Sequence, residues 1–150
     1  MLLKLVCVGK LSSGNNFKII CKDYQKRIKD KLEIIEIKST ILKKSERIKY
    51  EEKKILEYFN KDEDIFLLDN YGKQYSSRTF SKILSDRKNI GKKKVTFVIG
   101  GVYGLHKNLT SRFSAISFGE MTWPHGLMRV LLLEQIYRAQ TIINGHPYDK

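Results

Sequence analysis

Three stretches near the end of this chain carry residue types and spacings suited to chemistry. In the first, Phe97-Val98-Ile99 runs into Gly100-Gly101, with Gly104 three residues on. A strand that stops on two glycines lets a ligand approach the backbone, because neither position has a Cβ; a plain tight turn is the alternative reading. The spacing is not GxGxxG and no Gly-Lys-Ser/Thr follows, which argues against a dinucleotide fingerprint or a Walker phosphate loop. The second stretch is Ser117-Phe118-Gly119-Glu120-Met121-Thr122-Trp123-Pro124-His125, placing a histidine where a helix begins. A helix dipole disfavours imidazolium there, so His125 is expected neutral, either donating one hydrogen bond toward a ligand or locking the loop. The third is the tail, His146-Pro147-Tyr148-Asp149-Lys150. His106, His125 and His146 lack metal-ligand spacing with Cys7 and Cys21, and no Gly-x-Ser-x-Gly is present. Neither a zinc site nor a serine nucleophile is expected.

The elements that must hold these stretches follow from periodicity. Leu2 to Val8 reads as a buried strand. Phe17, Ile20, Cys21, Tyr24 and Ile28 mark one face of a helix from Asn15 to about Lys31, with Lys18, Lys22, Lys26 and Lys29 off that face. Leu32 to Ile37 is a second strand. Ser45 is the expected N-cap of a helix to about Phe59, burying Ile48, Ile55, Leu56 and Phe59. A third strand, Asp64 to Leu68, stops at the turn signal Asp69-Asn70-Tyr71-Gly72-Lys73. Ser76 or Ser77 caps a helix with Phe80, Ile83 and Leu84 inward, ending near Gly91, and Val95 to Ile99 is a fourth strand. Alternating strands and helices predict an α/β fold, a parallel sheet flanked by helices, in one domain over 1–150.

The last helix, about His125 to Asn144, is apolar on two sides. Met128, Leu132, Ile136, Ala139 and Ile143 lie on one arc, and Val130, Leu133 and Tyr137 on another. One arc suits the sheet and the other a second copy in a two-fold homodimer; a central helix within one chain is the alternative. Glu134 precedes Arg138 by four residues and pairs with it, whereas Arg129 has no such partner on its helix. Arg129 is therefore the candidate for contact with RNA or a second subunit.

The net charge of +13 is unevenly spread. Residues 1–94 carry 24 Lys and Arg against 13 Asp and Glu, and residues 95–150 carry 5 against 3. A basic region beside a nearly neutral motif region suits an enzyme that grips a polyanion and reacts in a cleft. With 22 Lys to 7 Arg, compositional drift is the competing explanation. No run reaches the ~20 apolar residues of a membrane span. Lys4 inside the first apolar run speaks against a secretory signal, and two core-facing cysteines fit a reduced, cytoplasmic protein.

Taken together, Ile99-Gly100-Gly101 with Gly104-Leu105, the Ser117–His125 stretch, and Met128-Arg129-Val130 running to Asn144-Gly145-His146-Pro147-Tyr148 resemble the pseudouridine N3-methyltransferases of large-subunit ribosomal RNA (the RlmH family of the SPOUT superfamily). Leu68-Asp69, Gly72-Lys73 and Ser76-Ser77 resemble the family's middle. The resemblance implies a C-terminal trefoil knot, a homodimer and S-adenosyl-L-methionine as cofactor, with no metal. It implies cofactor contacts at Leu68, Gly100, Phe118, Gly119, Glu120, Met121, Thr122 and Trp123. It also implies a substrate-side tail, Tyr148, Asp149 and Lys150, in which Asp149 stands where the family usually has His. The substrate would be 23S ribosomal RNA on the assembled ribosome. Another knotted methyltransferase with a different RNA target, or a non-catalytic ribosome-binding module, are the alternatives.

Overall fold

The structure, a computed structural model, describes residues 1–38 and 43–148. In chain order the elements are β1 (Leu2–Val8), α1 (Asn16–Arg27), β2 (Lys31–Ile37), α2 (Lys44–Leu56), β3 (Asp64–Gln74), α3 (Ser77–Asn89), β4 (Lys94–Ile99), α4 (Lys107–Thr110), β5 (Ser114–Ser117) and α5 (His125–Ile143). The five strands form one sheet in the order β2-β1-β4-β3-β5, and every pairing is parallel. The parallel α/β sheet expected from the alternation is present.

Strand alternation sorts the core into two layers. Leu3, Leu5, Cys7, Phe97 and Ile99 face α1, α3 and α5, whose Phe80, Leu132 and Ile136 complete that layer. Val6, Val8, Leu67 and Val98 face the other way, onto Ile55 of α2 and Leu109 of α4. On this second face β1 buries a charge. Lys4 is 5% exposed, its Nζ donating to the Tyr58 carbonyl (2.6 Å) and to Glu63 (3.1 Å), which also accepts from Thr96.

Caps explain where several helices start. The Asn15 side chain accepts from the Phe17 N–H, and the Ser76 hydroxyl from the Thr79 N–H. α1 stops at Arg27, short of Lys31, because β2 already begins there; Ile28 remains buried beyond the helix, while Ile20 is 41% exposed. α2 has no side-chain cap and buries Glu51 beside Ile55, a charged residue the apolar pattern did not mark.

Two findings differ from the expected elements. β3 does not end at Leu68. It continues to Gln74, slipping register between Leu68 and Lys73 and pairing again with Ile116 and Ser117 of β5. That crossing is close: a Cβ on Gly72 would lie 2.6 Å from the Ile116 carbonyl carbon. β5 itself, Ser-Ala-Ile-Ser, was not anticipated. On α5 the second apolar arc is covered within the chain, Leu133 being fully buried and the Tyr137 ring lying 6.1 Å from that of Tyr24 on α1. The two-sided apolarity therefore reports a central helix and carries no argument for a dimer.

Candidate active site at the carboxyl ends of the strands

A cleft of about 760 Å³ opens where β1, β3, β4 and β5 end, the place where parallel α/β sheets bind ligands. Gly9, Leu68, Gly100, Phe118, Trp123 and His125 contribute to its walls. The volume falls inside the roughly 300–1,000 Å³ typical of small-molecule sites.

The glycine loop is shaped by absent side chains. A Cβ on Gly100 would sit 2.9 Å from Leu105 Cγ and 3.0 Å from the Gly104 carbonyl carbon. Gly104 has φ +76°, and its N–H donates to the Gly101 carbonyl at 3.0 Å. Helix α2 leans on the loop's outer side. Glu51, 2% exposed, accepts from Arg47 Nε at 2.8 Å with one oxygen and holds the other where a Gly101 Cβ would be, 2.6 Å away. Glu52 pairs with His106 at 2.9 Å, and the Arg47 guanidinium lies over the Tyr103 ring. Arg47 also borders the cleft.

The opposite wall comes from the segment after β5. Trp123 Nε1 donates to the Phe118 carbonyl (3.3 Å), drawing 118–123 into a loop, and Asn70 ties that loop to β3 through Thr122 (3.2 Å). Phe118, Thr122 and Trp123 face the cleft, as does Leu68. Gly119 instead borders a smaller adjoining cavity, and Glu120 and Met121 point outward, Met121 being 73% exposed. Sequence reasoning missed Lys10, Arg47, Asp69, Asn70 and Met128 at the cleft. Asp69 had read as part of a turn and of the family resemblance, Asn70 only as a turn, and Lys10 and Arg47 only as charge.

At the base of the cleft, His125 is held below its ordinary range, to about 4, first by burial and then by Arg129; the Gly100 backbone and Glu36 oppose this. Arg129, expected at an RNA or subunit surface, is 2% exposed and is corrected to an internal residue. Its guanidinium is shared among Glu36, the Gly9 carbonyl (2.6 Å) and His125, the helix partner at i−4 that the sequence reading overlooked.

The tail, expected on the substrate side, lies away from the cleft of its own chain as far as Tyr148. The Tyr148 hydroxyl donates to Glu134 (3.3 Å), and its ring packs on Tyr137 and under Arg138. The residues it touches lie from the middle of α5 onward, roughly 13–20 Å along its axis from His125 at ~1.5 Å per residue, and none of them borders the cleft. Asp149 and Lys150 lie outside the described residues. The Glu134–Arg138 pair is present at 2.8 Å. Among the described residues, no three His, Cys, Asp or Glu side chains are grouped to hold a metal, and no helix is long and apolar enough to cross a membrane.

A family model described as "Predicted SPOUT methyltransferase" matches residues 1–149. The chain belongs to the SPOUT methyltransferases. Within them it is 42% identical over 160 residues to "Ribosomal RNA large subunit methyltransferase H" of Enterococcus faecalis, and 42% identical over 153 residues to the protein of that name in Mycoplasmopsis synoviae, covering all of each chain. That identity places it in the methyltransferase H family. Among solved structures, a probable methylase family protein of Haemophilus influenzae shares the fold at TM-score 0.54 and 11% identity, over 95% of this chain and 66% of the other. A structure titled "Structural insights into the 2-OH methylation of C/U34 on tRNA" shares it at TM-score 0.52 and 12% identity, covering 97% and 98%.

SPOUT methyltransferases use S-adenosylmethionine, and the cleft suits it. Gly100, Gly101 and Gly104 of the tightly packed glycine loop border the cleft. Leu68, Phe118 and Trp123 supply apolar wall, and His125 presents a buried Nδ1 without a hydrogen-bond partner among the described residues.

Proposed function

We propose that this chain methylates N3 of a pseudouridine in large-subunit ribosomal RNA, acting on the assembled ribosome as a cytoplasmic homodimer of single, knotted domains. The observation carrying this reading is the full-length 42% identity to methyltransferases named for that RNA, joined to a cleft at the strand ends that fits the family's cofactor.

Bound in the cleft, S-adenosylmethionine supplies a methyl group already activated on a sulfonium, so positioning is the main demand on the protein. Gly100 and its loop would offer main-chain groups to the bound cofactor, and Leu68 and Trp123 would supply apolar wall for it. Phe118, Thr122 and Trp123 wall off the side opposite the glycine loop. Pseudouridine N3 must lose a proton as it attacks. The tail is the proposed substrate-side element, with Tyr148 and Lys150 contacting RNA and Asp149 standing where a base would serve.

One geometric fact supports the dimer and another the knot. Tyr148 lies along α5, away from the cleft of its own chain, so a tail acting on substrate serves the partner's cleft. The close crossing of β3 over β5 at Gly72 fits a threaded C-terminal region.

The excess of Lys and Arg suits a ribosomal partner. Off the core-facing side of α1, Lys18 and Lys22 border a cavity of about 300 Å³ with Lys10, which also borders the cleft. The basic side chains thus run up to the reaction site.

Calorimetric titration with S-adenosylhomocysteine, followed by mapping of ribosomal RNA from cells lacking the protein, tests the reading. Saturable binding and loss of one methylated pseudouridine are expected. A folded protein that binds no cofactor product would sink it in favour of a ribosome-binding module.

A further inference from the structure

We propose that Arg129 is a positioning residue for the cofactor: by donating to Nε2 of His125 it holds the imidazole as the neutral Nδ1–H tautomer against the glycine loop, keeping positive charge off the base of the cleft. This rests on the reading of the cleft as the site of S-adenosylmethionine.

The Arg129 guanidinium limits what its partners can be. It has five N–H donors and no acceptor. Arg129 directs two of its nitrogens at the same atom, Nε at 3.0 Å and Nη2 at 2.6 Å from His125 Nε2. Two donors converging on one ring nitrogen require a lone pair there, so Nε2 carries no hydrogen and the single ring hydrogen sits on Nδ1. Tautomers are ordinarily assigned from their surroundings; here the partner permits one answer. Nδ1 is buried without a hydrogen-bond partner among the described residues, on the side of Gly100, whose backbone acts on the ring.

The rest of the network keeps Arg129 in place. Its Nη2 also donates to the Gly9 carbonyl at 2.6 Å, from a residue with φ +102°, a conformation glycine adopts without strain. Nη1 is paired with Glu36 on β2, which also accepts from the Leu11 N–H at 3.1 Å. The carboxylate offsets the buried cation, so the cleft gains geometry from Arg129 without a net charge. Burial would push the Glu36 carboxyl up, but the Arg129 hydrogen bond, Leu11 and Lys18 leave it lowered. The other charged side chains bordering the cleft are Lys10 after β1, Arg47 on α2 and Asp69 on β3.

The consequence is selective for a sulfonium. An imidazolium at the base of the cleft would repel S-adenosylmethionine, which is cationic at sulfur, more than S-adenosylhomocysteine, a neutral thioether. A neutral ring treats the two alike.

The test uses the full chain as wild type, Arg129→Met, Arg129→Lys, His125→Asn and the Arg129→Met/His125→Asn double variant. Nitrogen NMR of the ligand-free wild type should show His125 as the Nδ1–H tautomer throughout pH 5.5–8. Calorimetry should give a ratio of the two ligand affinities that does not change over that range. In Arg129→Met the ring, still buried but facing Glu36 without the guanidinium, should titrate above its wild-type value, and S-adenosylmethionine should lose affinity against S-adenosylhomocysteine as pH falls from 8 to 5.5, recovering at pH 8. The double variant should lose that pH dependence. Arg129→Lys and His125→Asn keep the test available if Arg129→Met does not fold: the lysine should shift the tautomer signal, and the asparagine should bind both ligands with no pH dependence. An Nε2–H tautomer in the wild type, or equal loss of both ligands at every pH in Arg129→Met, overturns the proposal. Wild-type protein that binds neither ligand overturns the cofactor reading as well; wild type that binds both, with Arg129→Met indistinguishable from it, overturns this proposal alone.

Discussion

At the scale of single residues the cleft depends on two positions for opposite reasons, Gly100 because it lacks a side chain and His125 because its side chain stays uncharged. Replacing Gly100 with Val puts a branched group where even a Cβ meets Leu105 and the Gly104 backbone at 2.9–3.0 Å. The loop must move, and S-adenosylhomocysteine affinity should fall at least tenfold in a variant whose circular dichroism is unchanged; retained affinity would take the loop out of the site. His125 also sets a pH signature. Its pKa is lower in the folded chain, about 4, than the ordinary 6.5 of the unfolded state, so the unfolded chain binds the extra proton first. Its contribution to stability is complete above about pH 6.5 and is lost as pH falls toward 4. Melting temperatures across pH 4–7 should decline in the wild type, and His125→Asn should flatten that part of the curve. A parallel decline in the variant would assign the acid limb to carboxylates instead.

At the scale of elements, residue order disclosed some parts of the structure and withheld others for definite reasons. β1 and β4 announce themselves because both faces are covered, leaving β-rich apolar runs, β2 through its isoleucines although it is a half-exposed edge strand, and α3 because Ser76 caps a clean apolar stripe. β5 has one strong apolar residue, Ile116, in four positions, and its strand character comes from pairing with β3. The second half of β3 was hidden by Asp69, Asn70 and Gly72, which locally favour turns; the neighbouring strand overrides that preference. The cleft was legible where it uses backbone, at Gly100 and the 118–123 segment, and illegible where it uses distant side chains. Arg129 looked unpaired because Glu36 lies 93 positions away in sequence. Helix α1 carries its own prediction. Changing Lys18 and Lys22 to Glu should weaken binding to ribosomal RNA at least tenfold and shallow its salt dependence, while cofactor-product affinity stays within twofold. Unchanged RNA binding would assign those lysines to compositional drift.

At the scale of the whole molecule, the proposed function combined with the distance between the tail and its own cleft predicts that activity is a property of pairs. The protein is expected to elute as a dimer, measured by light scattering, and deletion of Tyr148 to Lys150 should cut RNA methylation strongly while sparing cofactor-product binding. A complementation experiment decides the arrangement. Gly100→Val protein supplies an intact tail and a dead cleft, and tail-deleted protein the reverse. Mixed dimers should recover part of the wild-type rate, since one intact tail meets one intact cleft. A mixture as inactive as its components would show that each tail serves its own chain.

The buried amine of Lys4 bears on how such a molecule is made. Lys4, on β1, is synthesised well before its partners, the Tyr58 carbonyl and Glu63, which lie 54 and 59 positions later. Sealing that strand into a sheet earlier would strand a cation away from water, at a cost of several kcal/mol. At roughly 5–20 residues per second, β1 must wait on the order of 3–12 seconds after it is synthesised. The nascent N-terminus is therefore left unassembled and open to chaperones for that interval, and shortening the wait by recoding the intervening stretch for faster translation should reduce chaperone occupancy without altering the finished protein.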